Sequence, residues 1–135
     1  NLGVDVTLLN QDWKVYLDST NNLNFQIARA GWIGDVLDPV NFLECFLSES
    51  GNNRTGWENE EFDNLIRAAY AERDEQKRYD LYQQAEAILV EEVPIMPIYF
   101  YTLKFLKAPE VKGYIPNLQD YRRWKDLYLE NGAES

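Results

Sequence analysis

The sequence predicts an α/β fold, and three observations predict it. A strand-like segment, a helix-like one and a second strand-like one follow each other between residues 4 and 32. Two long amphipathic stretches then read as a helical pair, the first capped by Asn59 with a stripe through Tyr70, the second capped by Asp74 and ended by Pro94. A β-branched and aromatic run, residues 95–101, returns the chain to a mixed sheet.

Residues 4–8 alternate apolar and polar side chains, as a half-buried strand does. Asn10 or Gln11 opens a short amphipathic helix through Trp13, Tyr16 and Leu17, closed by the polar loop 18–24. Residues 25–32 form the second strand. Strand, helix, strand is a βαβ unit, whose parallel pairing is expected to be right-handed. Residues 39–47 form a short helix with Val40, Leu43 and Leu47 on one side.

Residues 48–59 are the longest polar stretch, and Gly51, Gly56 and two asparagines mark it as a surface loop of turns. Asn59 caps the next helix, with Glu60 and Glu61 at its positive end and a stripe of Phe62, Leu65, Ile66, Ala69 and Tyr70. Asp74 caps the following helix, whose stripe is Leu81, Ala85, Ile88 and Leu89. The acids from Glu58 to Glu92 are expected to face solvent, away from both stripes. Pro94 ends the helix. Pro97 demotes strand 95–101 to an edge or a bulge. Residues 102–107 read as a further strand, and 108–116 as short strands or turns. Residues 93–135 are richer in Lys and Arg and close to neutral, so they read as a separate structural unit.

The chain's 135 residues suffice for one domain with a core and are too few for two. A net charge of −10 argues against nucleic acid and anionic membrane as partners, because both select clustered cations. No apolar run approaches the roughly 18–20 residues that span a bilayer, so no membrane insertion by this segment is expected. The chain opens on Asn1-Leu2-Gly3 without Met, which reads as an excised piece whose targeting segment, if any, is expected upstream. There is no histidine, which excludes Ser-His-Asp and Cys-His nucleophiles and most transition-metal sites. The single cysteine, Cys45, lies in an apolar stretch and reads as a small buried hydrophobe. No cofactor or metal is expected.

The chemistry concentrates in residues 29–39, Arg-Ala-Gly-Trp-Ile-Gly-Asp-Val-Leu-Asp-Pro. Gly31 and Gly34 allow close approach by another backbone or a ligand, since no Cβ intervenes. Asp35 falls just past the strand end, where open α/β sheets present ligand groups. Asp38 before Pro39 is instead a cap-and-first-turn pair. From the residues alone three further readings stay open: Arg29 as a salt-bridge partner of Asp35 or Asp38, Trp32 as plain core, and Tyr101 as a structural residue that does not touch ligand.

Five motifs follow in order: Arg-Ala-Gly-Trp-x-x-Asp-x-x-x-Pro, Ser-Gly-Asn-Asn-x-Thr-Gly, Phe-Asp-x-Leu-Ile, Arg-Tyr-x-Leu-Tyr-x-x-Ala-Glu and Pro-Ile-x-Pro-Ile-Tyr-x-Tyr. As a series over residues 3–130 they resemble the C-terminal part of an oligopeptide-binding protein, a solute-binding protein family 5 receptor of a peptide ABC transporter. The resemblance implies a periplasmic-binding-protein type II fold, a two-lobed clam-shell that closes on an extended peptide. It implies that residues 1–102 belong to the C-terminal lobe and that 103–135 return to the N-terminal lobe. It implies no enzymatic activity.

By the same resemblance Asp35 pairs with the peptide α-ammonium and Arg29 meets the carboxylate of a short peptide. The backbone of Gly31, Trp32 and Ile33 pairs with the peptide main chain by strand addition. Trp32 walls a side-chain pocket, and Tyr101, Asn52 and Asn53 line the cleft. Capture without sequence preference follows, because backbone and terminal charges are what all peptides share. The implied partners are an oligopeptide and, through the intact receptor, a membrane permease. The implied location is periplasmic or extracellular, with membrane association through an upstream signal or lipid. Alone, the 135 residues are expected to bind peptide weakly, since half of the cleft lies elsewhere.

One departure stands out. The family often has an aromatic after the binding acid, and this chain has Val36. Relatives of the same fold carry dipeptides, nickel complexes or sugars, and the Asn-Asn-x-Thr-Gly loop favours the oligopeptide branch. Two unrelated readings compete: a glycosidase using Asp35 with Asp38 or Glu44, and a domain whose acidic helices meet a basic partner.

Overall fold

A computed structural model describes residues 3–102, 104–117 and 121–130. Its centre is a helical hairpin. Helix α1 spans Trp13–Asn21, α2 spans Val40–Leu43 and runs into a 3-10 turn at Glu44–Phe46, α3 spans Glu60–Ala71, and α4 spans Glu75–Glu92. Helices α3 and α4 pack against each other, with α2 against α4.

The helix starts follow local chemistry. Asn59 Oδ1 accepts the Phe62 N–H at 2.9 Å, and Asp74 Oδ1 accepts the Lys77 N–H at 3.0 Å. Each cap satisfies one of the donors that a helix N-terminus leaves without a partner. Asp38 Oδ1 accepts the Val40 N–H at 3.0 Å, so the Asp-Pro pair starts α2 as expected. Helix α1 begins two residues late, because Asp12 and not Asn10 or Gln11 turns its carboxylate to the Lys14 N–H at 3.0 Å. At the other end of α4, Val93 sits in the left-handed region at φ 50°, an unusual place for a β-branched residue.

The core is where the stripes meet. Phe62, Ile66 and Ala69 of α3 pack with Tyr82, Ala85 and Leu89 of α4 and with Leu43. Val40, Leu47, Leu65, Leu81 and Ile88 lie half-buried around them. Tyr70 faces outward at 53% exposure, and its hydroxyl donates to Glu44. Tyr82, outside the expected stripe, is buried in its place. Cys45 is buried, as expected.

The acids of the hairpin are not all solvated. Asp63 is 5% exposed and its carboxylate accepts the Ser48 N–H at 3.0 Å, with Arg67 at 3.7 Å. A buried acceptor here satisfies a loop donor that would otherwise be stranded. Glu92 takes the Trp57 indole N–H at 2.6 Å and the Asn59 amide at 2.8 Å.

The expected strands are corrected. Residues 4–8 and 25–32 form no ladder with each other, and residues 95–101 form none either, so no βαβ unit is hydrogen-bonded among the described residues. The described part of 102–107 is likewise outside any strand. Alternation prepares one face of a strand but does not supply its partner edge. Val4, Val6, Leu8, Ile27 and Ile98 are accordingly exposed. The one pairing among the described residues is a short antiparallel ladder between β1 (Val111–Lys112) and β2 (Tyr128–Leu129), with Val111 opposite Leu129. Its first strand lies in the region read as short strands or turns, and its second was not expected. Residue 103, residues 118–120 and residues 131–135, all within the expected tail, lie outside the described set.

Candidate functional site

Residues 29–39 leave the extended segment, bend at 35–38 and enter α2. Asp35 is exposed in that bend, while its main-chain N–H donates to Asn41 Oδ1 at 2.6 Å. A Cβ on Gly34 would stand 3.0 Å from the Phe42 ring and 3.2 Å from Asn41 Oδ1, so the bend lies directly on α2. Gly31 has open space where its side chain would be. Its backbone and that of Trp32 and Ile33 take part in no ladder among the described residues. Trp32 is 44% exposed and so is not plain core among the described residues.

The guanidinium of Arg29 donates to the Tyr99 hydroxyl at 3.4 Å, and the Tyr16 hydroxyl donates to the Arg29 carbonyl at 3.0 Å. The bond to Tyr99 holds the Arg29 pKa above its ordinary value, and the nearby Tyr101 acts in the same direction. Asp38, one of the rivals for Arg29, is paired instead with Arg78 at 3.7 Å. So segments 25–32 and 95–101 come side by side through a cation and phenols, and Tyr101 stands exposed within reach of its field.

The loop asparagines part company. Asn52 is exposed, its N–H on Ser50 Oγ at 3.3 Å. Asn53 is the loop's own brace. Its amide donates to the carbonyls of Phe46, Leu47 and Trp57, and its oxygen accepts from Thr55. An amide so engaged has little left to read a ligand.

Sequence reasoning missed Asn41, Tyr16 and Tyr99. For Asn41 a signal exists: an amide set between Val40 and Phe42 in a short apolar helix is a polar group that needs a partner. The two tyrosines lie in elements read for periodicity alone, which does not say what a phenol meets.

No family model matches the chain. The chain is 48% identical over 116 residues to the oligopeptide-binding protein OppA of Bacillus subtilis, covering 85% of this chain and 21% of that protein. It is 42% identical over 128 residues to the dipeptide-binding protein DppE of the same organism, covering 93% of this chain and 24% of that one. Among solved structures, the murein tripeptide binding protein MppA of Escherichia coli matches at a TM-score of 0.85 and 41% identity, over 95% of this chain and 25% of its own. OppA of Haemophilus influenzae in complex with RPPGFSPFR matches at 0.82 and 39%, over 93% and 25%. The chain thus spans about a quarter of the length of the relatives it matches. These relatives are named as binding proteins, MppA and the Salmonella typhimurium OppA as periplasmic ones, and no helix among the described residues is long and apolar enough to cross a membrane. The backbone follows the peptide-binding fold even where the ladders of 4–8, 25–32 and 95–101 are missing. By sequence and by fold the chain belongs with the oligopeptide-binding proteins, the solute-binding protein family 5 receptors, and matches their C-terminal part.

Proposed function

We propose that this chain contributes the ammonium-binding side of a peptide receptor for an ABC transporter. The single observation that carries the reading is Asp35: an exposed residue on a backbone-anchored bend, next to main chain at 31–33 that is in no ladder among the described residues. An extended peptide laid along Gly31, Trp32 and Ile33 would make main-chain bonds there and set its α-ammonium on Asp35. Arg29 suits the carboxylate of a short peptide, because its planar fork reaches both oxygens. On this reading Trp32, Tyr101 and Asn52 are the residues offered to side chains. Asn53 is left out, since its amide is engaged inside the loop.

Residues 1–102 then belong to the C-terminal lobe and 103–135 to the lobe opposite, and the receptor docks on a membrane permease. Its place is the periplasm or the cell exterior, held near the membrane by parts outside this chain. Capture, not turnover, is the proposed activity: the relatives named oligopeptide-, dipeptide- and murein peptide-binding support it. The 135 residues alone bind weakly on this reading, because the opposite lobe closes the cleft.

The test is calorimetry on the full-length polypeptide that carries this sequence. Asp35→Ala should weaken binding of a short free peptide by about 2–5 kcal/mol, mostly from leaving the ammonium unpaired. Unchanged affinity would remove Asp35 from the site.

A further inference from the structure

Asn41 is the second residue of α2 and only 7% exposed, although its side chain is polar. Its oxygen accepts the Asp35 N–H at 2.6 Å, and its amide nitrogen donates to Glu44 at 3.4 Å. Glu44 in turn takes the Tyr70 hydroxyl of α3. The bend is therefore tied through Asn41 and Glu44 to the outer face of α3. Gly34 adds contact from the other direction, lying so close to Phe42 and Asn41 that a Cβ would have no room without a shift. Behind the bend, Asp38 is held separately, by Arg78 at 3.7 Å and by the Val40 N–H.

We propose that Asn41 is the positioning residue for Asp35, and through it sets how strongly the receptor prefers a peptide with a free N-terminus. The proposal rests on the peptide-receptor reading above. The physical reason is the shortness of Asp. With two side-chain torsions between backbone and carboxylate, fixing the main-chain nitrogen fixes the small region its oxygens can occupy. An acid already in place meets an ammonium without first losing freedom, which is where preorganisation gains affinity. A buried amide serves this better than a water would, because it cannot leave and adds no charge. Asn41 does not itself touch the peptide.

The probes are tetra-alanine and N-acetyl-tetra-alanine, titrated into the full-length polypeptide. The unsubstituted protein should prefer the free peptide by about thirtyfold or more, the fold-change that goes with an ammonium–carboxylate pair. Asn41→Leu, close in volume but without an acceptor, should cut that ratio roughly three- to tenfold, as loss of one hydrogen bond does. Its affinity for the acetylated peptide should stay the same. In an Asp35→Asn background the same substitution should leave the ratio unchanged.

An undiminished ratio in Asn41→Leu overturns the proposal, and so does equal weakening of both peptides, which would mark a merely structural role. Should the variant not fold, hydrogen exchange on the unsubstituted protein decides. The Asp35 amide must be protected despite its exposed bend, and exchange at the rate of an open loop overturns the assignment. If the unsubstituted protein fails to distinguish the two peptides, the peptide-ammonium reading of Asp35 fails first, and that outcome is separate from the others.

Discussion

The indole N–H of Trp57 donates to the Glu92 carboxylate at 2.6 Å, joining the loop before α3 to the last turn of α4. The same carboxylate takes the Asn59 side-chain amide at 2.8 Å with its other oxygen. Asn59 is the cap of α3, and the Trp57 ring lies edge-on to Phe62 in the core, their centroids 5.2 Å apart. One acid thus ties the start of α3 to the end of α4.

Glu92→Ala should therefore destabilise the hairpin by about 1 kcal/mol, two charge-assisted bonds discounted for their exposure to water. The shift in urea midpoint measures it. Glu92→Gln keeps one acceptor and should lose less. A midpoint unmoved by Glu92→Ala would show that the junction holds without this staple.

The two loop asparagines should separate cleanly. Asn53→Ala removes donors to three carbonyls and an acceptor for Thr55, and should cost about 1–3 kcal/mol by leaving half-buried groups unpaired. Asn52→Ala at its exposed turn should stay within about 0.5 kcal/mol. Thermal unfolding of both variants is the measurement, and equal losses would contradict the division.

Cys45 gives a pH dependence with a definite sign. Burial, and then the Glu44 charge, push its pKa up from 9.0 to about 11. The folded state thus favours the protonated thiol more than the unfolded state does. Its stabilisation is complete below pH 9 and fades as pH rises toward 11, because the unfolded thiol ionises first. Tyr70, pushed up to about 12 by burial and by its bond to Glu44, acts in the same direction at still higher pH. Cys45→Ala should flatten the decline in unfolding midpoint between pH 8.5 and 10.5, and the unsubstituted thiol should resist iodoacetamide at about pH 8 until the fold opens. Rapid alkylation of the folded protein would show the thiol to be open.

How much was legible in the chain depends on the range of the interaction concerned. Caps are local: Asn59, Asp74 and Asp38 each act within three residues of themselves, and each stands where sequence reading puts it. Helical stripes are nearly as local, so Phe62, Ile66, Ala69, Ala85 and Leu89 were identified as core from spacing. The motif series pointed to the family for a different reason, since it compares residues and needs no geometry.

The site was legible in part. Asp35 was marked by its place after a strand-like run and directly after Gly34, and it is exposed. The partner of Arg29 was not legible, because Tyr99 stands 70 positions away and competing acids stood within ten. The bracing bonds of Asn53 were not legible for a related reason. A turn-rich loop advertises its amides without saying whether they face outward or brace the turn itself.

By itself the sequence determined the two long helices, their caps, most of their buried faces and the family, since periodicity and capping act between near neighbours in the chain. Only the tertiary structure decided that α1 starts from Asp12, that Tyr82 replaces Tyr70 in the core, that Asp63 is buried and bonded to Ser48, that Asn41 holds the Asp35 backbone, and that the strand-like segments form no ladder among the described residues. Those outcomes depend on which groups meet across the fold. A donor or an edge written in one segment is silent about the group that will satisfy it.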